Sequence, residues 1–445
     1  MPRDKKRIDV LVLGAGAAGL AAARDLSHAG LRVTVVEARP RIGGRILTVH
    51  DPRSPVPFEL GAEFIHGEET ETLPLAQAAG LAVLELPGTH ELASGGRLKP
   101  MGSFWDLADR MNRDLARRLA ARGKDFPVSE YLDSARVPAS HRGFLRDFIQ
   151  GFYAAYPERL SARSLADESD VEEEREEVLG RQFRIANGGD ALMKWMRDGL
   201  NPERTEVRLS TVAQTISWKR GQVAVETPVE VLRARTAIIT LPVAVLKAGV
   251  FRFEPALPAK QRALAGIETG QIFKIVLRFR EAFWEEPGFL KERREKSGSN
   301  GTSLNFFHAQ GAEVPTWWTS LPVRAPVLTG YVGAIGAEQL LAEDPASRLE
   351  RTLVSLSDVL AVPRRELEEQ LDASASHDWR ADPLSRGAYS YIGVGGNGAP
   401  RALAQPVDET LFFAGEATNG AEIGTVSGAL TSGRRAAREV LRALR

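Results

Sequence analysis

IDVLVLGAGAAGLAAARDLSHAGLRVTVVEARPRIGGRILT, running from Ile8 to Thr48, has the pattern of a strand, a tight turn, a helix and a second strand. An apolar run, Ile8 to Leu13, feeds into Gly14-x-Gly16-x-x-Gly19. An Ala/Leu helical segment follows, and Leu31 to Val36 closes on Glu37. Each glycine has a physical task. Gly14 permits the turn, Gly16 lets a pyrophosphate approach the backbone, and Gly19 lets helix and strand pack closely. The helix N-terminus then offers free N–H groups and the positive end of a dipole to phosphate. Glu37 stands at the tip of the second strand, where it can accept hydrogen bonds from an adenosine ribose.

Beyond Glu37, Arg39 and then Gly43-Gly44-Arg45 bring a further close-approach loop and cations towards the same phosphates. That extension points to FAD. With Ala23, Leu26, Gly30 and Glu37 in place and the GGR run after them, the sequence resembles the flavin-containing amine oxidase superfamily, which includes monoamine oxidases, polyamine oxidases and lysine-specific histone demethylases. The resemblance extends from Ile8 to the last helix. It implies an α/β, two-domain FAD-dependent amine oxidase fold. The expected division is a Rossmann-like FAD-binding domain over 1–67, 180–250 and 372–445, and a mixed sheet-and-helix substrate domain over 68–179 and 251–371.

Composition narrows the class. A chain of 445 residues is long enough for two cores. Hydrophobic content of 43% and charged content of 26% are those of a soluble globular protein. Lys+Arg and Asp+Glu balance at 58 each, so no global field recruits nucleic acid or an anionic membrane. Zero cysteines excludes disulfides, thiolate metal sites and thiol nucleophiles. No metal site is expected. The monoamine oxidases hold their flavin through a cysteine thioether, and the matching position here is Ala388, so the resemblance implies non-covalent FAD. MPRDKKRIDV runs straight into the first strand and does not read as a cleavable signal. The longest apolar stretch, Ala234 to Phe251, is broken by Arg235, Pro242 and Lys247. With a basic final helix and no C-terminal anchor of the mitochondrial kind, a cytoplasmic protein is expected.

Further along, Gly61-Ala62-Glu63-Phe64-Ile65-His66-Gly67 follows a strand-like run. The resemblance puts Gly61, Ala62, Glu63 and Phe64 beside the cofactor and His66 in the substrate channel. From Glu68 to Gly180 the periodicity reads as helical, and the acidic run Asp167 to Glu177 reads as a solvated helix face. The β-branched segments VRLSTVAQTISW, QVAVET and RARTAIITLP read as strands, with Val212 placed by resemblance against the adenine. Gly330-Tyr-Val-Gly333-Ala-Ile-Gly336 lacks a G-x-G pair and reads as a strand-to-helix turn, not a second nucleotide loop.

The run Gly270 to Phe279 alternates, with Phe273, Ile275, Leu277 and Phe279 on one face. Periodicity alone makes Lys274 a solvent lysine. The flanking PALPAKQRALAGIETG and FREAFW reproduce the family frame, in which this lysine holds a water against flavin N5. Trp379 and the Tyr389 of Gly387-Ala-Tyr-Ser-Tyr are implied to flank the amine as an aromatic wall, desolvating it and offering a negative quadrupole. The second tyrosine of the monoamine oxidase cage is Thr425 here, which leaves room for longer or bulkier substrates. In the closing motif, Gly415-Glu416 is expected at the ribityl and phosphate part of FAD. The helix opening at Thr425 and Val426 is expected to face the pyrimidine edge. The implied partners are a small amine and O2. An L-amino-acid oxidase, a desaturase or porphyrinogen-type oxidase, and a flavin-containing scaffold protein are the rival readings.

Overall fold

The computed structural model describes residues 8–68, 70–101, 104–135, 137–166, 181–294 and 303–445. The basic arm 1–7 and the acidic run 167–177 lie outside the described residues. Val10–Leu13 is the first strand, Ala17–His28 the helix and Val33–Val36 the second strand. They sit in a five-stranded sheet ordered Thr205–Arg208, Val33–Val36, Val10–Leu13, Thr236–Ile239 and Leu411–Phe413, with every pair parallel. Both faces are covered. The helices Ala17–His28, Gly189–Asp198 and Val426–Ala443 pack on one side, and the four-stranded sheet carrying Ile216, Val223 and Leu232 packs on the other. A strand buried on both faces has no solvent side, which is why VLVL and VTVV are buried at every position and do not alternate.

The second sheet is mixed and seven-stranded. Its order is Leu371–Ser376, Ile272–Phe279, Val327–Gly333, Thr316–Thr319, Phe306–His308, His90–Ser94 and Arg97–Pro100. Phe306–His308 pairs with His90–Ser94 in parallel, and the other neighbours are antiparallel. Gly330 to Gly333 completes a strand, and Ala334–Leu341 is the helix that follows, as the glycine spacing implies.

Two sequence expectations are corrected. The region read as helical from Glu68 contains the strands Val83–Glu85, His90–Ser94 and Arg97–Pro100 as well as helices. Strands of three to five residues are too short for a period of two to stand out. Periodicity also misplaces Lys274. Every residue of Ile272–Phe279 is buried, because the strand is interior to its sheet and both faces are covered. Phe273, Ile275, Leu277 and Phe279 enter one core, and Val276 packs with Phe58 and Leu60 on the opposite face. Among the described residues no helix is long and apolar enough to cross a membrane.

Candidate active site

A continuous cavity of 2180 Å³ runs from the first glycine loop to the seven-stranded sheet. That is well beyond the roughly 300–1,000 Å³ of an ordinary small-ligand pocket.

At one end the glycines behave as their spacing implies. Gly14 has φ +110°, and a Cβ on Gly19 would stand 1.9 Å from the Gly14 carbonyl oxygen. Gly16, in contrast, has nothing within 4 Å of where a Cβ would be. It is the N-cap of Ala17–His28 and provides no side-chain cap, so the first-turn amides open onto the cavity. Glu37 lines the same wall, with one oxygen accepting from the Ala15 N–H (2.8 Å) and the other from the Arg39 N–H (2.8 Å). A carboxylate has about four acceptor sites, so capacity for two hydroxyl donors remains. Open backbone, uncapped amides and an anchored acid together suit a dinucleotide.

The arginines are more engaged than the sequence implies. Arg39 is held by Asp382 (2.7 and 3.0 Å) and Ser385 (2.8 Å). Arg45 donates to the Ala388 carbonyl and to Glu416 (2.9 Å). Glu416 in turn accepts from the Ser390 hydroxyl (2.9 Å) and the Gly424 N–H (3.1 Å), so its carboxylate ties four segments together at the cavity wall. Gly44 packs its backbone against Gly16. Val212 lies in the loop after Thr205–Arg208, 39% exposed, beside Thr211, whose N–H donates to the Glu37 carbonyl. It is therefore neither a strand residue nor a buried one, although it lines the cavity. Gly61, Ala62, Gly415 and Val426 also line it. The Thr425 hydroxyl caps the last helix, accepting from the Gly428 N–H (2.9 Å) and donating to the Glu422 carbonyl (2.8 Å).

At the other end stands an aromatic wall. Trp379 is buried and donates its indole N–H to the Leu60 carbonyl (2.9 Å). Tyr389 donates its hydroxyl to the Phe152 carbonyl (2.8 Å) and meets the Tyr331 hydroxyl at 3.0 Å. Burial pushes the Tyr389 phenol up to about 12, with the Tyr331 hydrogen bond opposing it. His66 lies edge-on to Phe64 and Phe152, and burial lowers it to about 4, so it is neutral at physiological pH. Phe64 is wedged against Phe306 and Trp318.

Beside this wall, across the ladder from Tyr331 and over the Trp318 ring, is Lys274, 4% exposed. Its ammonium donates to Glu63 (2.6 Å) and to the Gly61 carbonyl (3.2 Å), and its side chain lines the cavity. Glu63 also takes the Trp318 indole N–H (3.2 Å) and an ion pair with Arg184 at 3.3 Å. The Glu63 side chain is thus turned to Lys274, a finer placement than cofactor contact. Nearby, Glu59 accepts from the Gly189 N–H (2.7 Å) and the Thr48 hydroxyl (2.9 Å). Burial raises Glu59 to about 7 against the opposing effect of its hydrogen bonds. Tyr331, Trp318, Arg184 and Glu59 were not singled out from the sequence. The signal for Tyr331 is its register, directly across the ladder from Lys274.

Glu59 supplies a stability prediction. Its folded pKa lies above the ordinary 4.5, so the native chain binds the extra proton and the stability gained is full below that value and lost as pH rises through about 7. Relative to Glu59→Gln, the wild type is expected to lose about 3 kcal/mol between pH 5 and pH 8. Melting temperatures of both proteins across that range measure it. Parallel curves would refute the assignment.

The family model for flavin containing amine oxidoreductases matches residues 17–441. Lysine-specific histone demethylase 1 homolog 2 of Oryza sativa subsp. japonica is 31% identical over 98% of this chain, which spans 57% of that protein's length. Probable polyamine oxidase 4 of Arabidopsis thaliana is 30% identical over 95% of this chain and 85% of its own length. Cyclohexylamine oxidase from Brevibacterium oxydans superposes with a TM-score of 0.81 at 21% identity, covering 98% of this chain and showing the two-domain fold alone. The coverage of both the family model and the polyamine oxidase leaves one assignment: this chain belongs to the flavin containing amine oxidoreductase family.

Proposed function

We propose that the protein is an FAD-dependent amine oxidase that converts a primary or secondary amine, with a polyamine among the candidates, to an imine hydrolysed to aldehyde, while O2 becomes H2O2. The observation that carries this reading is that Lys274, Tyr389, Tyr331 and Trp379 converge on the cavity that begins at Gly14–Gly19. Bound FAD supplies a hydride acceptor and a two-electron donor to oxygen. The residues that would hold it, without a covalent bond, are Gly16 and the following amides for phosphate, Glu37 for ribose, and Gly415 with the Thr425–Val426 helix start for the ring end. Ala388, at the position of the thioether cysteine, has no group able to form that bond.

The chain's own side chains do the rest. Trp379 and Tyr389 present ring faces and exclude water from the amine. Phe64 and Phe152 extend the apolar wall past the neutral His66. Such surroundings disfavour ammonium, whose solution pKa is about 10, and so select neutral amine. Lys274 brings a positive charge to a dry wall, where it stabilises the negative charge that oxygen acquires on reduction.

The test is anaerobic titration of the yellow protein with mono-, di- and polyamines and with L-amino acids. Amines are expected to bleach the flavin and amino acids to leave it coloured; bleaching by amino acids alone would favour the rival oxidase. The reduction rate is expected to rise with pH and then level off as the bound amine loses its proton. His66 and His90 at about 4 and Tyr389 at about 12 do not titrate between pH 6 and pH 9, so they do not obscure it. A flat profile, with Glu59→Gln run in parallel to remove the group near 7, would overturn selection of neutral amine.

A further inference from the structure

A buried quartet of charges stands at the cavity wall, which Lys274 and Glu63 line: Lys274 and Glu63 at 2.6 Å, Glu63 and Arg184 at 3.3 Å, and Glu59 alongside, anchored by Thr48 and Gly189. The side chains of Lys274 and Glu63 are 4% and 8% exposed. Ion pairs so enclosed are costly to form, and removing Glu63 takes from the Lys274 ammonium the one carboxylate it touches. Glu63 is itself tightly held. Burial pushes its carboxyl up, but the Lys274 and Arg184 charges and the hydrogen bonds from Lys274 and Trp318 outweigh that and hold it below the usual carboxylate range. It is thus a fixed anion, seated between two cations contributed by distant segments of the chain.

We infer that Glu63 is a positioning residue for Lys274: its carboxylate pins the ammonium at the cavity wall and is the counterion that offsets its burial, so that the wall presents a cation with one N–H left for the cavity. Two of the three ammonium hydrogens are spent, on Glu63 and on the Gly61 carbonyl. The direction of the remaining one is set by that pair. Arg184 is essential to the balance. With Lys274 and Arg184 against Glu63, the quartet carries one net positive charge while Glu59 is protonated and none once it ionises. The titratable groups facing Lys274 are therefore Glu63 and Glu59, together with Arg184 behind Glu63 and Tyr331 across the ladder, which burial holds well above its ordinary value. The inference rests on the reading of Lys274 as the cation that assists reaction with oxygen.

Glu59 can supply a replacement charge, so the test is made in a Glu59→Gln background. Reoxidation of the reduced protein by O2 is followed by stopped flow from pH 6 to pH 9. Glu59→Gln alone is expected to give a flat profile. Glu59→Gln with Glu63→Gln is expected to slow about tenfold as pH rises across that range, because a buried ammonium without its anion gives up its proton. Glu63→Asp in the same background is expected to recover most of the flat profile, since it restores charge. A second readout needs no turnover: melting temperatures of the purified chain carrying Glu63→Gln, Lys274→Met, or both. The double variant is expected to lose less than the sum of the single losses. Additive losses, or a flat profile in Glu59→Gln with Glu63→Gln, would overturn the inference. If Lys274→Met does not slow reoxidation, the reading of Lys274 falls and the inference with it. If Lys274→Met slows it while the Glu63 variant stays flat, only the inference falls.

Discussion

Lys274→Met is expected to leave protein that folds and takes up FAD, but whose reduced form is reoxidised by O2 about 10²-fold more slowly. The magnitude is that of deleting one preorganised electrostatic donor from a water-poor site. Folding is retained because methionine fills nearly the same volume on the buried strand. Glu63 also keeps two partners, the Arg184 guanidinium and the Trp318 indole, when the ammonium is removed. The rate of anaerobic reduction by amine is expected to change far less, since the aromatic wall of Trp379, Tyr389 and Tyr331 is untouched. Stopped-flow traces of the two half-reactions separate the effects. Unchanged reoxidation would remove Lys274 from the chemistry, and equal losses in both halves would show that the substitution had only disturbed packing.

Gly19→Ala is expected to abolish retention of FAD and to destabilise the chain by about 3 kcal/mol or more, the upper end of overpacking costs. The added methyl would stand 1.9 Å from the Gly14 carbonyl oxygen, and that oxygen belongs to backbone that cannot rotate away. Relief requires the helix Ala17–His28 to lift from the strand Val10–Leu13, which opens the core both share. Gly16→Ala is the companion. Nothing lies within 4 Å of its Cβ position and its φ of −77° suits any residue, so the melting temperature of the FAD-free chain is expected to stay within about a degree or two of wild type. Its methyl instead intrudes where phosphate would approach, and FAD affinity is expected to fall. Absorbance at the flavin band together with melting curves distinguishes the cases. A Gly19→Ala protein that purifies yellow and melts normally would contradict the assigned close packing.

The nucleotide half of this molecule was legible because its constraints are local. Gly14 turns at φ +110° and Gly19 packs against it within a few residues, and Glu37 is placed by the length of one helix and one strand. The same holds for the start of the last helix at Thr425 and the strand-to-helix turn at Gly333. Composition was legible in the same way, since a chain with no cysteine has no thiol chemistry. Lys274 was different. Its strand alternates as a half-exposed strand would, and only a family resemblance placed it inward. What buries it is the Phe58–Leu60 segment on one face and the Val327–Gly333 ladder beside it, neither of which is visible from the run Gly270 to Phe279.

Charge pairing was the least legible feature. The sequence contained Glu59, Glu63, Arg184 and Lys274 as four separate charges, spread over more than two hundred positions, with nothing in their spacing to join them. Short strands between Val83 and Pro100 were hidden for a related reason, since a strand of three to five residues owes its existence to a neighbour and not to its own pattern. By itself, then, the sequence determined the glycine turn between first strand and first helix, the start of the last helix and the absence of thiol chemistry, because those depend on backbone geometry within a single turn or on composition. Only the tertiary structure decided that Tyr331 faces Tyr389, that Arg39 and Arg45 are tied to acids, and that Lys274 is buried against Glu63. Those contacts arise when sheets from distant parts of the chain exclude water together, and desolvation turns charges that water would have kept apart into obligate partners.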